Sequence, residues 1–108
     1  MANSYKFKGV ALATTSETAL LTAASTETII IRSIRVTNNT SNTPTISMDV
    51  SDNSASAEYT ILKTQTLSAN TAVEILTVPL VLESSDAVKA TISTTDSTHI
   101  GISYLVIT

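Results

Sequence analysis

Apolar side chains at every second position recur along almost the whole chain, and this pattern constrains the fold more than any other feature. The alternation is clearest over 45–51, 87–93 and 99–107, where aliphatic side chains alternate with shorter or more polar ones. A period of two places successive side chains on opposite faces of a strand, whereas a helix needs a period of 3.6. No segment has the helical period, and the density of β-branched residues also disfavours helix. The sequence therefore predicts an all-β protein.

Clusters of serine, threonine, asparagine and aspartate separate the apolar segments about every ten residues, as in short strands joined by turns. Eight or nine strands in 108 residues leave room for one hydrophobic core. We therefore expect a single antiparallel β-sandwich, of jelly-roll or immunoglobulin-like type, that spans residues 1–108. Residues 1–12 are available as an N-terminal arm. The predicted strands are 4–12, 17–22, 27–38, 45–51, 57–61, 71–77, 79–82, 87–93 and 99–107.

Three local features add to this pattern: one irregularity within a strand and two turns. The apolar parity switches between Ile31 and Ile34, which indicates either a β-bulge at 32–33 or a strand buried on both faces. The segment 38–44 is rich in asparagine, which tolerates left-handed backbone and supplies side-chain caps, so it predicts a turn. A second tight turn ends at Asp86, whose carboxylate we expect to cap the backbone.

Composition excludes several classes of function. Only 14% of the residues are charged, the net charge is −3, and the six basic residues are dispersed, so we expect no nucleic-acid partner. No apolar segment approaches the length of a membrane span, and the first residues lack the features of a signal peptide. The absence of cysteine fits assembly in a reducing cytoplasm. A surface with so few charges is easily desolvated against a neighbour, although a threonine-rich soluble fold is the simpler interpretation.

Residues with catalytic or ligand-binding chemistry are isolated. His99 is the only histidine and has no nucleophile motif to serve, so a solvent-facing or turn-capping role is expected. Asp49 and Asp52 could contribute to a Ca²⁺ site, but the glycine-containing loop of such sites is missing. Gly9 and Gly101 are the only glycines, which excludes a phosphate-binding loop. We predict no enzyme activity, no cofactor, no metal and no small-molecule ligand.

Apolar residues near both termini exceed what one sandwich needs for its core. Leu105 and Ile107 have the opposite parity to the main apolar face of the last strand, and Tyr5, Phe7 and Val10 lie in the N-terminal segment. Terminal segments fray unless they are held, so these segments either pair within the domain or dock on a neighbour. Tyr5, Phe7, Val10, Leu105 and Ile107 are therefore the candidate subunit interface.

Several strand sequences resemble those of a known group of proteins. Residues 32–38 (Arg-Ser-Ile-Arg-Val-Thr-Asn) resemble the RSI-x-V-x-N strand of small β-sandwich virion proteins of tailed bacteriophages. Residues 79–83, 86–91 and 102–107 (Pro-Leu-Val-Leu-Glu, Asp-Ala-Val-Lys-Ala-Thr and Ile-Ser-Tyr-Leu-Val-Ile) are similar to the C-terminal strands of the same group. The chain departs from the group at 84–85, where it has two serines and the relatives usually carry glycine.

The resemblance implies a structural protein of a phage particle. A capsid decoration (cement) protein that stabilises the head is the first expectation, and a neck, tail or fibre protein is the next. The implied partners are other virion proteins, such as the major capsid protein or neck and tail proteins, together with copies of the chain itself in a homo-oligomer such as a trimer. The implied location is the virion, after synthesis in the host cytoplasm. A carbohydrate- or receptor-binding module is the alternative from a different class, although the chain has no tryptophan and only four other aromatic residues.

Overall fold

The computed structural model describes residues 2–108, which form nine strands and no helix, so no helix in this part of the chain could cross a membrane. Met1 lies outside the described residues. The alternation of apolar and polar side chains specifies these strands, and the predicted all-β class is confirmed. The strands are β1 (Asn3–Leu12), β2 (Thr18–Thr22), β3 (Thr28–Asn38), β4 (Thr45–Asp52), β5 (Ala57–Thr66), β6 (Ala72–Glu74), β7 (Leu80–Leu82), β8 (Ala87–Ile92) and β9 (Thr98–Ile107).

Two antiparallel sheets form the sandwich. The five-stranded sheet has the order β1-β9-β3, with β6 and β7 one after the other along the far edge of β3. The four-stranded sheet has the order β2-β8-β4-β5. One cluster of buried aliphatic side chains, drawn from both sheets, fills the space between them. The prediction of a single antiparallel β-sandwich is therefore confirmed, and β2 occupies an edge, as a strand of its length commonly does.

A β-bulge in β3 explains the switch of apolar parity. The register of β3 against β9 shifts between Ile31 and Ser33. Ile31 and Ile34 are both fully buried, while Arg32 is exposed, so the extra residue returns the second half of the strand to the core-facing phase. The bulge is confirmed, and the alternative of a strand buried on both faces is wrong.

Glu74 occupies the gap that this bulge opens in the hydrogen-bond ladder. Its carboxylate accepts hydrogen bonds from the backbone N–H of Ile34 at 2.8 Å, from the Ser33 hydroxyl, and from the N–H of Leu76 at 3.3 Å. β6 and β7 pair with β3 on either side of the bulge. Both strands have three residues and are shorter than the predicted segments 71–77 and 79–82.

The two chain ends pair with each other within the domain. β1 lies antiparallel to β9 along all ten of its residues without a register shift. Two further hydrogen bonds extend the pairing, from Ala2 N–H to the Thr108 carbonyl at 3.2 Å and from Thr108 N–H to the Ala2 carbonyl at 3.0 Å. Residues 2–12 are therefore an edge strand of the five-stranded sheet.

Buried polar side chains hold the loops at both ends of the sandwich. The Asn38 side chain is completely buried; its amide nitrogen donates to the carbonyls of Asn42, Leu67 and Ser68, and its oxygen accepts from Thr40. This arrangement confirms the prediction that asparagine caps the turn after β3. It also links that turn to the loop after β5.

At the opposite end, Asp86 has the capping role predicted for it. One carboxylate oxygen accepts the N–H of Asn53 and the other accepts the N–H of Glu83, each at 2.9 Å. Ser85 in the same turn has a φ of 66°, a left-handed conformation that favours glycine. This is the turn in which the phage proteins resembled by the chain usually carry glycine.

Candidate functional site

The outer face of the five-stranded sheet carries a continuous row of apolar side chains. Cross-strand pairing places Tyr5 opposite Leu105, Leu105 opposite Ile30, and Ile30 opposite Val81. Tyr5 is 73% exposed and Val81 is 50% exposed, whereas the two central side chains are half-buried. We call these four residues the apolar row. Single exposed apolar residues are common on protein surfaces, whereas contiguous apolar groups such as this one are less common.

Four of the five residues predicted as a subunit interface lie on this outer face. Tyr5 and Leu105 belong to the apolar row. Phe7 lies two residues further along β1 and is 70% exposed, and Ile107 lies at the end of β9. Val10 does not belong with them. Its side chain points to the opposite face of the sheet and packs against the core. Because residues 5 and 10 differ in parity, a flat strand cannot present both on one face.

Two members of the apolar row could not be identified from the sequence. Ile30 reads as part of a buried isoleucine run, and Val81 reads as part of a short core strand. Only the register of β3 against β7 and β9 shows that both side chains point outward beside Leu105. The signal for them was the parity of each strand, but parity does not show which strands are neighbours.

A shallow groove of about 650 Å³ crosses the same face, nearer the C-terminal end of β1. Its floor is the cross-strand pair Gly9 on β1 and Gly101 on β9, and Arg35 on β3 pairs with Gly101 from the other side. The Phe7 ring lies over the two glycines: a Cβ atom placed on Gly101 would be 3.0 Å from its Cε1 atom. The Phe7 ring fills part of the space above the two glycines, and Arg35, Thr37 and His99 line the groove with it.

Polar groups line the rest of the groove. His99 is exposed, as expected, and its Nδ1 lies 2.9 Å from the amide nitrogen of Asn39. Since that amide nitrogen is a donor, the neutral His99 ring carries its proton on Nε2. The guanidinium of Arg35 forms no salt bridge within residues 2–108, where the ion pairs are those of Lys89. The hydroxyls of the lining are those of Ser33, Thr37 and Ser103.

The other sheet carries an acidic cluster on its surface. Carboxylate oxygens of Glu17, Asp49 and Glu58 lie within 4.8 Å of one another. The Lys89 ammonium lies 3.9 Å from Glu17 and 3.5 Å from Glu58, so a cation of the protein already balances part of this charge. Asp52, which the sequence suggested as a Ca²⁺ partner of Asp49, is not in the cluster. An ion-pair network on the surface accounts for the arrangement.

Comparison with known proteins identifies similar folds but no family. No protein-family model and no curated protein matches the chain. A chain in the structure of infectious bursal disease virus, Gx strain, aligns with a TM-score of 0.62 and 10% identity, over 96% of this chain and 32% of that one. The Gt strain gives a TM-score of 0.51 and 10% identity, over 95% and 30%. This chain therefore spans about a third of the viral chains.

A third similar structure is that of the Bacillus endospore appendages, described as disulfide-linked pili. The TM-score is 0.57 with 8% identity, over 97% of this chain and 84% of that one. The present chain has no cysteine and so has no counterpart of the disulfide linkage. At such low identities these likenesses show a shared β-sandwich fold. The resemblance to virion proteins of tailed phages stays a prediction.

Proposed function

We propose that the chain is a structural protein of a bacteriophage virion, a capsid decoration protein that stabilises the head through protein–protein contacts. The observation that carries this proposal is the exposed apolar row on the five-stranded sheet. In this proposal the row packs against a neighbouring virion protein, and copies of the chain associate as a homo-oligomer such as a trimer.

The chemistry of the row suits a permanent protein contact. Tyrosine is enriched among the residues that dominate binding energy, because it offers a large apolar area with few rotatable bonds. Tyr5 is the most exposed large apolar residue of the described chain, and Leu105 and Ile30 continue the contact surface beside it. Burial of apolar surface is worth about 25 cal/mol per Å², so even a small patch contributes when many copies attach together.

Two further observations support the proposal. The strands at 32–38, 79–83, 86–91 and 102–107 resemble those of virion proteins of tailed phages. Similar folds occur in a virus and in a pilus, which are both assemblies of repeated subunits. A low density of charge also lowers the cost of desolvating a protein surface against a neighbour.

The direct test is the composition of the particle. Mass spectrometry of purified virions from the phage that encodes the chain should detect the polypeptide in many copies. Electron cryomicroscopy of the same particles should place a β-sandwich of this shape on the head. Virions that lack the polypeptide would contradict the proposal. Density at the neck, tail or fibre would retain the virion role and replace the decoration role.

A pair of tyrosine variants tests which surface docks. Tyr5→Ser removes the most exposed member of the apolar row, and Tyr59→Ser removes a tyrosine that is 56% exposed on β5 of the other sheet. Both tyrosines are exposed, so we expect each variant to fold with a stability within about 1 kcal/mol of the wild type. Tyr5→Ser should lose attachment to particles that lack the protein, and Tyr59→Ser should keep it. Equal attachment of the two variants would exclude the apolar row as the docking surface.

A further inference from the structure

We propose that the groove floored by Gly9 and Gly101 binds a carboxylate-bearing sugar, such as a uronic acid unit of a glycan. The groove is centred about four residues along the strands from the apolar row, or about 13 Å at the rise of a β-strand. It is therefore a second site on the outer face. Its volume of about 650 Å³ falls in the range of small-molecule sites.

The charge of the groove favours an anionic ligand. Arg35 is the charged residue of its lining, and its guanidinium has no salt-bridge partner among residues 2–108. Glu74 lies opposite Arg35 in the β3–β6 register, but its carboxylate already accepts three hydrogen bonds at the bulge of β3. The guanidinium forms no salt bridge with Glu74 or with any other described carboxylate, and its planar pair of donors is well shaped to bind a ligand carboxylate.

The uncharged groups of the groove favour a sugar over a simple carboxylate. The Nε2–H of His99 is a donor, because Nδ1 is held by Asn39, and the hydroxyls of Thr37 and Ser103 both donate and accept. Sugar hydroxyls need this mixture of donors and acceptors. The Phe7 ring lies over Gly9 and Gly101, so a sugar would meet the outer side of that ring and the polar groups beside it.

Phe7 supplies the apolar wall of the site. Its ring lies over the two glycines, with Cε2 3.5 Å from the position of a Cβ on Gly9, and the side chain is 70% exposed. One side of the ring is therefore supported by the sheet while much of its surface is free. The C–H face of a pyranose can pack on such a ring while its hydroxyls and carboxylate reach the polar groups.

The test compares sugars that differ in one group. Methyl glucuronide, methyl glucoside and acetate are each titrated into the wild-type protein and followed by NMR of the backbone amides. Methyl glucuronide should shift the amides of Gly101 and His99 in a saturable way. Methyl glucoside and acetate should each bind at least about tenfold more weakly, since each lacks one part of the recognised group. Equal binding of acetate would mean that any carboxylate suffices and would overturn the assignment to a sugar.

Matched variants connect the binding to the groove. Arg35→Gln should weaken methyl glucuronide binding at least about tenfold, because it removes a charge-assisted hydrogen-bond pair. Arg32→Gln is the control: it lies on the same strand, is exposed and makes the same change in net charge, but it is outside the groove. Equal affinities of the two variants, or no saturable shift in the wild type, would refute the proposal. Attachment of the Arg35→Gln variant to particles, measured as for Tyr5→Ser, separates this site from the docking surface.

Discussion

Replacement of Asn38 should damage the fold without touching the outer face. It is fully buried at the end of β3 and joins two loops through its side chain. The amide nitrogen lies 2.8 Å from the Asn42 carbonyl, 3.2 Å from the Ser68 carbonyl and 3.3 Å from the Leu67 carbonyl. The amide oxygen accepts the N–H of Thr40 at 3.0 Å and its hydroxyl at 2.7 Å. Asn38→Ala removes all of these bonds at once.

The cost of this substitution follows from the bonds and from burial. The three shortest hydrogen bonds contribute about 1 kcal/mol each to the free energy of unfolding. The Leu67 carbonyl loses its side-chain partner in a buried environment, which costs about 1 kcal/mol or more. We therefore expect Asn38→Ala to lower the free energy of unfolding by about 4 kcal/mol, a large part of the 5–15 kcal/mol that is typical of a domain.

Urea unfolding monitored by circular dichroism measures the effect. With a slope of about 2 kcal/mol per M, the midpoint should fall by about 2 M, and the slope itself should not change. Asn39→Ala is the matched control, because Asn39 is exposed and its side chain forms one hydrogen bond, to the exposed ring of His99. The control should change the stability by less than about 0.5 kcal/mol. A loss below about 1 kcal/mol for Asn38→Ala would refute the reasoning that its hydrogen bonds hold the two loops.

Two further predictions concern single groups. Ser85→Gly should raise the free energy of unfolding by about 0.5–1 kcal/mol, because the φ of 66° strains a residue with a Cβ atom more than it strains glycine. A urea midpoint that is unchanged or lower would contradict this prediction. Hydrogen bonds from the Thr94 hydroxyl and the Asn42 amide hold the pKa of the Asp96 carboxyl below its ordinary value of 3.8. The stability that this carboxylate contributes is therefore fully present above pH 3.8, and it is lost as the pH falls through the lower pKa of the folded state. An NMR titration should find the Asp96 midpoint below 3.8 and closer to 3.8 in Thr94→Val; the same midpoint in both proteins would exclude the hydroxyl as its cause.

Strand periodicity predicted most of the fold because the core selects side chains by parity. The switch between Ile31 and Ile34 even located the bulge of β3. The bounds of β5 and β6 were predicted less well, although those of the edge strands β1 and β2 were correct to within one residue. Tyr59 and Ile61 alternate like core residues but are 56% and 37% exposed, because β5 is an edge strand whose register shifts against β4.

The functional face was predicted in part, because parity identifies outward positions but not neighbours. Sequence analysis identified four outward residues because β1 and β9 carry apolar side chains at positions whose parity differs from that of the core-facing residues. These four are Tyr5, Phe7, Leu105 and Ile107. Val10 was included with them only as a member of the same segment, although its parity differs. The groove was not foreseen, because it depends on pairings across the sheet between residues that are far apart in the sequence.

Gly9 and Gly101 are a feature of the outer face that the hydrophobic core does not require. Glycine within a strand costs about 0.5–1 kcal/mol, because it loses more backbone freedom on folding and offers no side chain to pack. The only two glycines of the chain stand directly opposite each other, so the cost falls twice at one place. The Phe7 ring covers both and offsets part of it, as aromatic side chains do for glycines in designed sheets. A Cβ on Gly101 would lie 3.0 Å from the Cε1 atom of Phe7, so any other residue there would force the ring to shift. Glycine at these two positions therefore fits the close approach of the Phe7 ring to the strands, and the ring in turn forms the apolar wall of the groove beside Arg35.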